Sequence, residues 1–352
     1  MSVYSQDDLQ QFIYKTLHKA GYNLEESIAI SQSLVLAQLM GYESHGLIRL
    51  ISYCENLQKG YVHSGKNLQR LQESNSHYVY DGGYGVGQLY MAQIIQEIES
   101  IMPQKAIFCI SLAHSSHLGR IGEWTQKIAS LGYMALMVVN DNGFKAVAPV
   151  GGKQACFSTN PIAFSCAYGQ DDIFTMDIST SAMSLGKARS AWLKGELCPP
   201  YTLQNHQGML TQNPQDILTP PYGTLLPLGG VLGHKGMALV MMVDFLASGL
   251  SGGHFPLNQD APNASNNMTL TVWNPHLFSG NAGFAERAKA YVEFIISSDV
   301  IDAEKPIRVA GQGSQKRYHD SLQQGVTLPQ ELVKQVNEFA MSIGQVDILA
   351  AK

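Results

Sequence analysis

Charge is scarce in this chain. Asp, Glu, Lys and Arg make up 14% of its 352 residues, and the formal net charge is −5, with a pI near 6.1. No basic run or stripe is present, which argues against a general nucleic-acid or membrane-surface binder. An anionic ligand must therefore be met by a local positive site. Paired cysteines are also lacking. Cys54, Cys109, Cys156, Cys166 and Cys198 are odd in number and scattered, with no C-x-x-C, so neither a zinc ribbon nor a disulfide framework is indicated. Several lie in apolar runs, where a free thiol packs as a small core residue. No run approaches the roughly 20 apolar residues of a membrane helix. The first residues are polar and acidic, unlike a signal peptide, so the expected compartment is the cytoplasm. A dinucleotide fingerprint is missing as well. In Asp81-Gly-Gly-Tyr-Gly-Val-Gly-Gln88 the glycines Gly83, Gly85 and Gly87 alternate, G-x-G-x-x-G does not occur, and no acid ends a second strand at the expected distance. A Rossmann domain is excluded, and the loop reads as a turn onto a helix from Leu89 to Ile101.

The length allows two domains with ample core. With 45% apolar residues, 33 glycines, 14 methionines and 16 tyrosines, low charge suggests surface buried by domain packing or oligomerisation. The richest stretch is Ser111-Leu-Ala-His-Ser-Ser-His-Leu-Gly-Arg-Ile-Gly-Glu123. It follows the apolar run Ala106–Ile110, which reads as a buried strand, and polar groups at a strand end are the usual makings of a ligand site. His114 and His117 share a face only on a helical turn. Gly119 and Gly122 allow close backbone approach, and Arg120 offers a planar fork for a carboxylate or phosphate. Simple exposed loop histidines are the alternative reading. His-x-x-His also invites a metal, but no nearby acid or third histidine completes a site.

Two helices open the chain. Ser5 with Asp8, and Asn23 with Glu26, resemble capping boxes, and both helices read as amphipathic, the first ending at Gly21 and the second near Met40. Ser44, His45, Arg49 and Tyr53 follow, and a helix from Leu47 puts Arg49 and Tyr53 on the side of His45. A cation, a hydroxyl and an imidazole on one face suit a small carboxylate; an ordinary helix end is the alternative. Strands are expected at Tyr78–Tyr80, Tyr133–Val139, Phe174–Ile178 and Leu270–Trp273. Ser179-Thr-Ser181 is expected to cap a helix from about Ala182 to Lys194, an arrangement that makes an anion site and the best candidate for a pyrophosphate. Cys198–Gly223 reads as loop, Met237–Ala247 and Phe284–Ser297 as helices, Ser248–Asn267 as loop, and Thr327 as the cap of a terminal helix with Glu331 in its first turn. His234 and Lys235 sit at a helix start, where a cation gains nothing from the dipole.

In order, Ser44-His-Gly with Arg49 and Tyr53, Asp81-Gly, His-x-Gly-Arg-x-Gly around His117, Thr159-Asn-Pro161, Asp177 with Thr180-Ser181, and Leu228-Gly with His234-Lys-Gly236 resemble the type 2 malate/L-lactate dehydrogenase family, nearest its hydroxycarboxylate dehydrogenase B branch. The likeness spans essentially the whole chain. It implies an α/β (α+β) fold: a non-Rossmann, NAD(P)-binding mixed-sheet domain, assigned to residues 76–283, and a mainly helical domain formed by residues 1–75 with 284–352. It implies reversible hydride transfer between NAD(P)H and a 2-oxo carboxylate or a cyclic imino acid, in a homodimer with no metal. NAD is the expected cofactor, with NADP as the alternative. By matching motif, His117 is the proton donor and acceptor and His45 the histidine at the cofactor–substrate junction. Ser44, Arg49, Tyr53, Thr159 and Asn160 are the substrate-binding residues. Cofactor contacts are expected from His45, Gly119, Arg120, Ile121, Thr175, Met176, Asp177, Ile178, Ser179, Thr180, Ser181, His234, Lys235, Asn266, Gly311, Gln312, Gly313 and Ser314. Two departures stand out: Ala310-Gly311-Gln312 replaces the usual Pro-Gly-Glu, and Gln38 replaces a frequent Asp. Two rival readings remain: a metal-dependent hydrolase or lyase using His45, His114 and His117, and a catalytically silent binding relative, motivated by Gln312.

Overall fold

The structure, a computed structural model, describes residues 2–169, 172–257, 265–278 and 283–350. Strand β1 (Ser2–Tyr4) leads into α1 (Gln6–Ala20) and α2 (Leu24–Leu39), and both capping boxes form. Gly21, with φ of 115°, closes α1 in the left-handed region that glycine tolerates best. Helix α2 is not amphipathic. It buries Ser27, Ser31 and Gln38 among Ile30, Leu34 and Val35, and Ser33 and Ala37 beyond them, because it is covered on several sides. Its polar groups find partners: Gln10 Nε2 donates to Ser31 Oγ at 2.6 Å, and Ser33 Oγ to Glu123 at 2.7 Å. Short 3₁₀ turns at Glu43–His45 and Leu47–Arg49 precede α3 (Leu50–Gln58).

A seven-stranded sheet takes up the middle of the chain. It comprises β2 (Gln69–Glu73), β3 (His77–Asp81), β4 (Ile107–Ser116), β5 (Met134–Asp141), β6 (Pro161–Ala167), β7 (Ile173–Ser179) and a late strand, Ser265–Trp273, inserted between β4 and β5. Only the β3–β4 pair is parallel among the described residues. One face is covered by α4 (Gly87–Ile101) and α5 (Ile121–Ser130), whose Met91, Ile94, Trp124 and Ile128 pack on Phe108, Ile110 and Leu112 of β4 and Met137 of β5. Each such fully buried aliphatic side chain contributes about 1.5–3 kcal/mol. After α6 (Leu185–Lys194), the segment expected to be loop holds a small sheet, β8 (Leu203–Gln204), β9 (Leu210–Thr211) and β10 (Thr224–Leu225), with α7 (Gln215–Leu218).

The other sheet face meets α8 (Gly233–Ser251) through Val243 and Ala247 against Val138 and Ile162. With the preceding turn, Gly230–Ser251 is long and apolar enough to cross a membrane by length and composition, beyond what the sequence reading allowed. Here one side of it is core, and its Asp244 is buried and bonded to the sheet. The expected loop Ser248–Asn267 is helix as far as Ser251 and strand from Ser265, now numbered β11; residues 258–264 lie outside the described residues.

Helix α9 (Phe284–Ile296) buries only Val292. Helix α10 (Gln312–Gln324) was not expected, since its sequence is polar almost throughout. Thr327 lies in β12 (Val326–Leu328), paired with β1, and α11 (Gln330–Ser342) starts behind Pro329. The expected threonine cap is therefore absent: its backbone belongs to a strand. Leu328, Val336 and Ala340 share a core with Leu9, Phe12, Leu34 and Leu50, so the two ends of the chain fold together. The sheet begins at Gln69, ahead of the expected boundary at residue 76.

Candidate active site

Strand β4 delivers its end to the helical layer. The strand is longer than expected, so His114 lies within it and only His117 reaches the turn before α5. Leu118 N–H donates to Asn266 Oδ1 at 2.9 Å, and Trp124 Nε1 to the Leu118 carbonyl at 2.8 Å. Gly119, with φ of 75°, brings this turn against α2, where a Cβ would lie 3.0 Å from Ser33 Oγ. On the helical side, Arg49 Nε donates to the Ser44 carbonyl at 2.7 Å, folding the 3₁₀ turns into a compact corner. Among the described residues only Nε of this guanidinium is engaged, so both Nη groups are available to a carboxylate. Gly46 makes the corner possible, because a Cβ there would collide with Gln38 Oε1. Gln38 Oε1 accepts from Leu47 N–H at 3.1 Å, so the amide supplies the acceptor that an acid would have given.

The two corners meet through hydrogen bonds. Tyr53 OH lies 2.6 Å from His117 Nδ1, and Gln88 Nε2 donates to the Tyr53 oxygen at 3.0 Å. His45 stacks on His117 with ring centroids 5.7 Å apart and planes 19° from parallel. Ser44 Oγ is 3.0 Å from His45 Nδ1. His117 Nδ1 is thus occupied, which leaves Nε2 for a ligand. Burial, then the charges of Arg49 and Arg120, push His45 down to about 3. Burial, then Arg49 and His45, hold His117 well below the usual histidine value. Both rings are neutral at pH 7, whereas the sequence reading expected an imidazole titrating near neutrality; the cause is desolvation beside Arg49. Burial likewise lifts Tyr53 to about 12.

His114 does not join this cluster. Its Nδ1 pairs with Asp81 Oδ2 at 3.0 Å, and no group of three potential metal ligands occurs among the described residues. Arg120 is 2% exposed. Its guanidinium lies 4.6 Å above the Tyr42 ring, bonds Gln126 Oε1 at 3.2 Å and stands 3.7 Å from Asp177 Oδ2, so it is not the open fork expected. Among the described residues its Nε and Nη1 make no hydrogen bond, Nη1 being the nitrogen that faces Asp177. Asp177, raised by burial against the pull of Arg120, accepts from Gly122 N–H at 2.9 Å.

The other expected residues divide by geometry. Register pairs Ala163 with Asp177 and Ser165 with Thr175, so Thr175, Asp177 and Ser179 face α5. Met176 and Ile178 face the opposite side, because side chains alternate along a strand. The Ser179–Ser181 turn caps no helix; α6 starts at Leu185 under Ser184, whose Oγ accepts from Lys187 N–H. Thr180 Oγ1 donates to the Thr159 and Asn160 carbonyls, Ser181 Oγ to the Met183 carbonyl, and Ser179 Oγ to the Ser181 carbonyl. The hydroxyls close the turn on itself, so the expected pyrophosphate cradle is not formed. Asn160 is buried with φ of 30°; its Nδ2 donates to Asp244 at 2.9 Å and its Oδ1 accepts from Asp141 N–H at 3.4 Å, while Thr159 stays half-buried. Ala310 accepts from Thr175 N–H at 3.1 Å, which brings Gly311, Gln312, Gly313 and Ser314 beside the start of β7. Gln312 Oε1 accepts from Val309 N–H and its Nε2 donates to Tyr168 OH. His234 and Lys235 are exposed in the first turn of α8. Ile121 is buried at the start of α5.

Sequence reasoning missed Gln88, Tyr42 and Asp141. Asp141 ends β5 opposite Asn266. Burial pushes its carboxyl up to about 7, opposed by the Gly143 and Phe144 N–H groups and by Arg49. Alternation from Met137 and Val139, which face α5, could have revealed it.

A family model described as malate/L-lactate dehydrogenase matches residues 4–337. The chain belongs to the malate/L-lactate dehydrogenase family. Within it, hydroxycarboxylate dehydrogenase B of Escherichia coli O157:H7 is 30% identical over 340 residues, covering 96% of this chain and 93% of the relative. The Δ1-pyrroline-2-carboxylate/Δ1-piperideine-2-carboxylate reductase of Pseudomonas putida is 28% identical over 339 residues, covering 94% and 95%. Malate dehydrogenase from Pyrococcus horikoshii OT3 superposes with a TM-score of 0.88 at 26% identity, covering 99% of this chain and 97% of that structure.

Proposed function

We propose that the protein is an NAD(P)-dependent 2-hydroxycarboxylate dehydrogenase, catalysing reversible hydride transfer to a 2-oxo carboxylate, with reduction of a cyclic imino acid as the second reading. The observation that carries this is the Tyr53–His117 hydrogen bond at 2.6 Å beside Arg49 and His45. A dehydrogenase acting on a carboxylate needs a grip for that carboxylate and a proton for the carbonyl oxygen. Arg49, steadied by the Ser44 carbonyl, supplies the grip. His117 supplies the proton from Nε2, with Tyr53 on Nδ1 fixing the ring. Burial, then the Arg49 charge, depresses His117; a bound carboxylate offsets the second of these and so eases protonation of the ring. His45 stacks against this ring and orients the junction of substrate and cofactor.

A nicotinamide dinucleotide fits the segments that meet above the sheet. Arg120 carries two buried nitrogens that make no hydrogen bond among the described residues, one of them 3.7 Å from Asp177, and a polar group arriving at the Gly119–Ile121 turn gives them hydrogen-bond partners. Gly311 adds close backbone approach: a Cβ there would stand 3.0 Å from both Ile173 O and Thr175 N. Asn266, Thr175, Asp177 and residues 311–314 are proposed to complete the cofactor cleft, with His234 and Lys235 as further contacts. The bound nicotinamide supplies the hydride. NAD is the proposed cofactor, NADP the alternative.

The protein is further proposed to be a cytoplasmic homodimer. Its five cysteines are free, and α8 with its preceding turn exposes Val231, Leu232, Met241, Met242, Phe245 and Leu250, an apolar face suited to a second copy. Light scattering at micromolar concentration is expected to give twice the chain mass.

The test is a panel of aliphatic and aromatic 2-oxo acids and cyclic imines with NADH and NADPH, followed at the nicotinamide absorbance. With the best substrate, His117→Asn is expected to keep NADH affinity and lower kcat by about 10²–10⁴-fold. His45→Asn is expected to weaken binding while leaving a measurable rate. A dead His45→Asn beside an active His117→Asn reverses the two roles.

A further inference from the structure

The glycine-rich loop before α4 has no part in the chemistry above. We propose that this loop, residues 81–87, together with His114, is a clamp that positions His117, making Asp81 and His114 positioning residues of the proton-transfer site. The inference rests on the reading of His117 as the proton donor.

The clamp begins with an irregularity in β4. Asn266 pairs with Ser115 but Met268 with Leu112, so Ala113 and His114 stand together opposite Asn267. One extra residue in one strand is a β-bulge, and it changes which face the following side chains meet. His114 carries the strain of the bulge, with φ of 51°, a left-handed conformation that a non-glycine residue adopts only when its surroundings hold it there. Three residues later comes His117.

The surroundings that hold it are the glycine-rich loop. His114 Nδ1 pairs with Asp81 Oδ2 at 3.0 Å, and its backbone N–H donates to Asn267 Oδ1 at 3.1 Å. The loop backbone then runs alongside the bulge. Gly82 N–H donates to the Ala113 carbonyl, Tyr84 N–H to the His114 carbonyl at 2.6 Å, and Ser116 N–H to the Gly85 carbonyl. Gly87 N–H closes on Ser116 Oγ at 3.0 Å. Contact this close needs glycine: a Cβ on Gly82 would lie 2.9 Å from the His114 carbonyl oxygen, and one on Gly87 2.8 Å from that of Ser116. The loop therefore cradles a strand in the way glycine-rich loops elsewhere cradle phosphate. It also feeds directly into Gln88, which donates to Tyr53. One loop thus sets both ends of the Tyr53–His117 hydrogen bond.

The test uses three variants of the full chain. His114→Val disfavours the left-handed backbone and removes the Asp81 partner. His114→Asn tolerates that backbone and keeps a donor for Asp81. Asp81→Ala removes the His114 partner together with the Gly83 N–H bond to Asp81 Oδ1 that shapes the loop, and leaves the His114 backbone preference untouched. For His114→Val the expected result is an unchanged NADH titration and KM, kcat lowered by about tenfold or more, and a raised solvent deuterium isotope effect as proton transfer becomes limiting. His114→Asn is expected to restore kcat to within about threefold of the parent. A folded His114→Val with parental kcat, or a His114→Asn as impaired as His114→Val, overturns the proposal. If His114→Val does not fold, Asp81→Ala carries the test by the same readouts. If the parent itself turns over no oxo acid or imine, the hydride-transfer reading fails separately. The clamp is then judged on a crystal structure of Asp81→Ala. A Tyr53–His117 bond lengthened from 2.6 Å supports it, and an unchanged bond overturns it.

Discussion

Two turns in this molecule look alike as strings of residues. One closes β4 and runs Ser115-Ser-His-Leu-Gly-Arg120; the other closes β7 and runs Ser179-Thr-Ser181. Both end a buried strand with hydroxyls, and both suggested a ligand site. In the first, polar atoms remain without a hydrogen bond among the described residues: His117 Nε2, the terminal nitrogens of Arg49 across the cleft, and Nε and Nη1 of Arg120. In the second, every hydroxyl has found an acceptor inside the turn or on its neighbours. Residue type marks a polar turn in both cases. What separates a site from a self-contained turn is whether the donors and acceptors still need something.

That contrast can be broken or sharpened by mutation. The largest effect is expected in the open cluster. Arg49→Lys, which keeps charge but loses the planar fork, should lower kcat/KM by more than about tenfold, or roughly 1.4 kcal/mol. Arg49→Met should in addition release His45 and His117 from the charge that depresses them. The acid limb of the pH–rate profile for hydroxy-acid oxidation then moves to higher pH, because a histidine must be neutral to take the proton. Unchanged kinetics in Arg49→Lys would move the carboxylate elsewhere.

A smaller effect is expected in the closed turn. Ser181→Ala removes the bond to the Met183 carbonyl and should cost about 1 kcal/mol of stability, read as a lower Tm, with NADH affinity unchanged. A large loss of NADH affinity with no loss of Tm would restore this turn to the cofactor site.

The smallest concerns Asp141, beside the open cluster. Its folded value of about 7 lies above the ordinary 3.8, so the folded state disfavours the charged form. Stability is then complete below pH 3.8, falls as pH rises from there to about 7, and stays at the lower level beyond. Asp141→Asn should therefore raise Tm at pH 8 and leave it unchanged at pH 4. A Tm gain equal at both values would refute the buried-acid account.

Much of the scaffold was legible because its signals are local. Ser5 with Asp8 and Asn23 with Glu26 cap helices through neighbours three residues away. The cluster from Ser44 to Tyr53 was legible for the same reason, since one helical corner groups its side chains. What escaped depends on distant partners. His114 looked like a loop residue because the bulge that holds it within β4 is set by Asp81 and Asn267. Ser181 looked like a cap because nothing nearby shows that Ser184 takes that place. Arg120 looked open because Tyr42, which covers it, lies on another element. Family resemblance named the residues; only the fold shows which of them still have a hydrogen bond to give.

The insertion of β11 between β4 and β5 has a consequence for how the chain is made. Those two strands leave the ribosome early, yet their shared partner is not synthesised until residue 273. Through that interval, synthesis of well over a hundred residues, each strand presents an unpaired apolar edge, the kind of template that recruits other chains. Asn266, which anchors the turn after His117, arrives on the same late strand. A nascent chain shorter than this has the histidine and its glycine-rich loop but lacks the Asn266 and Asn267 contacts to the turn and the bulge, so the protein is completed from its centre last.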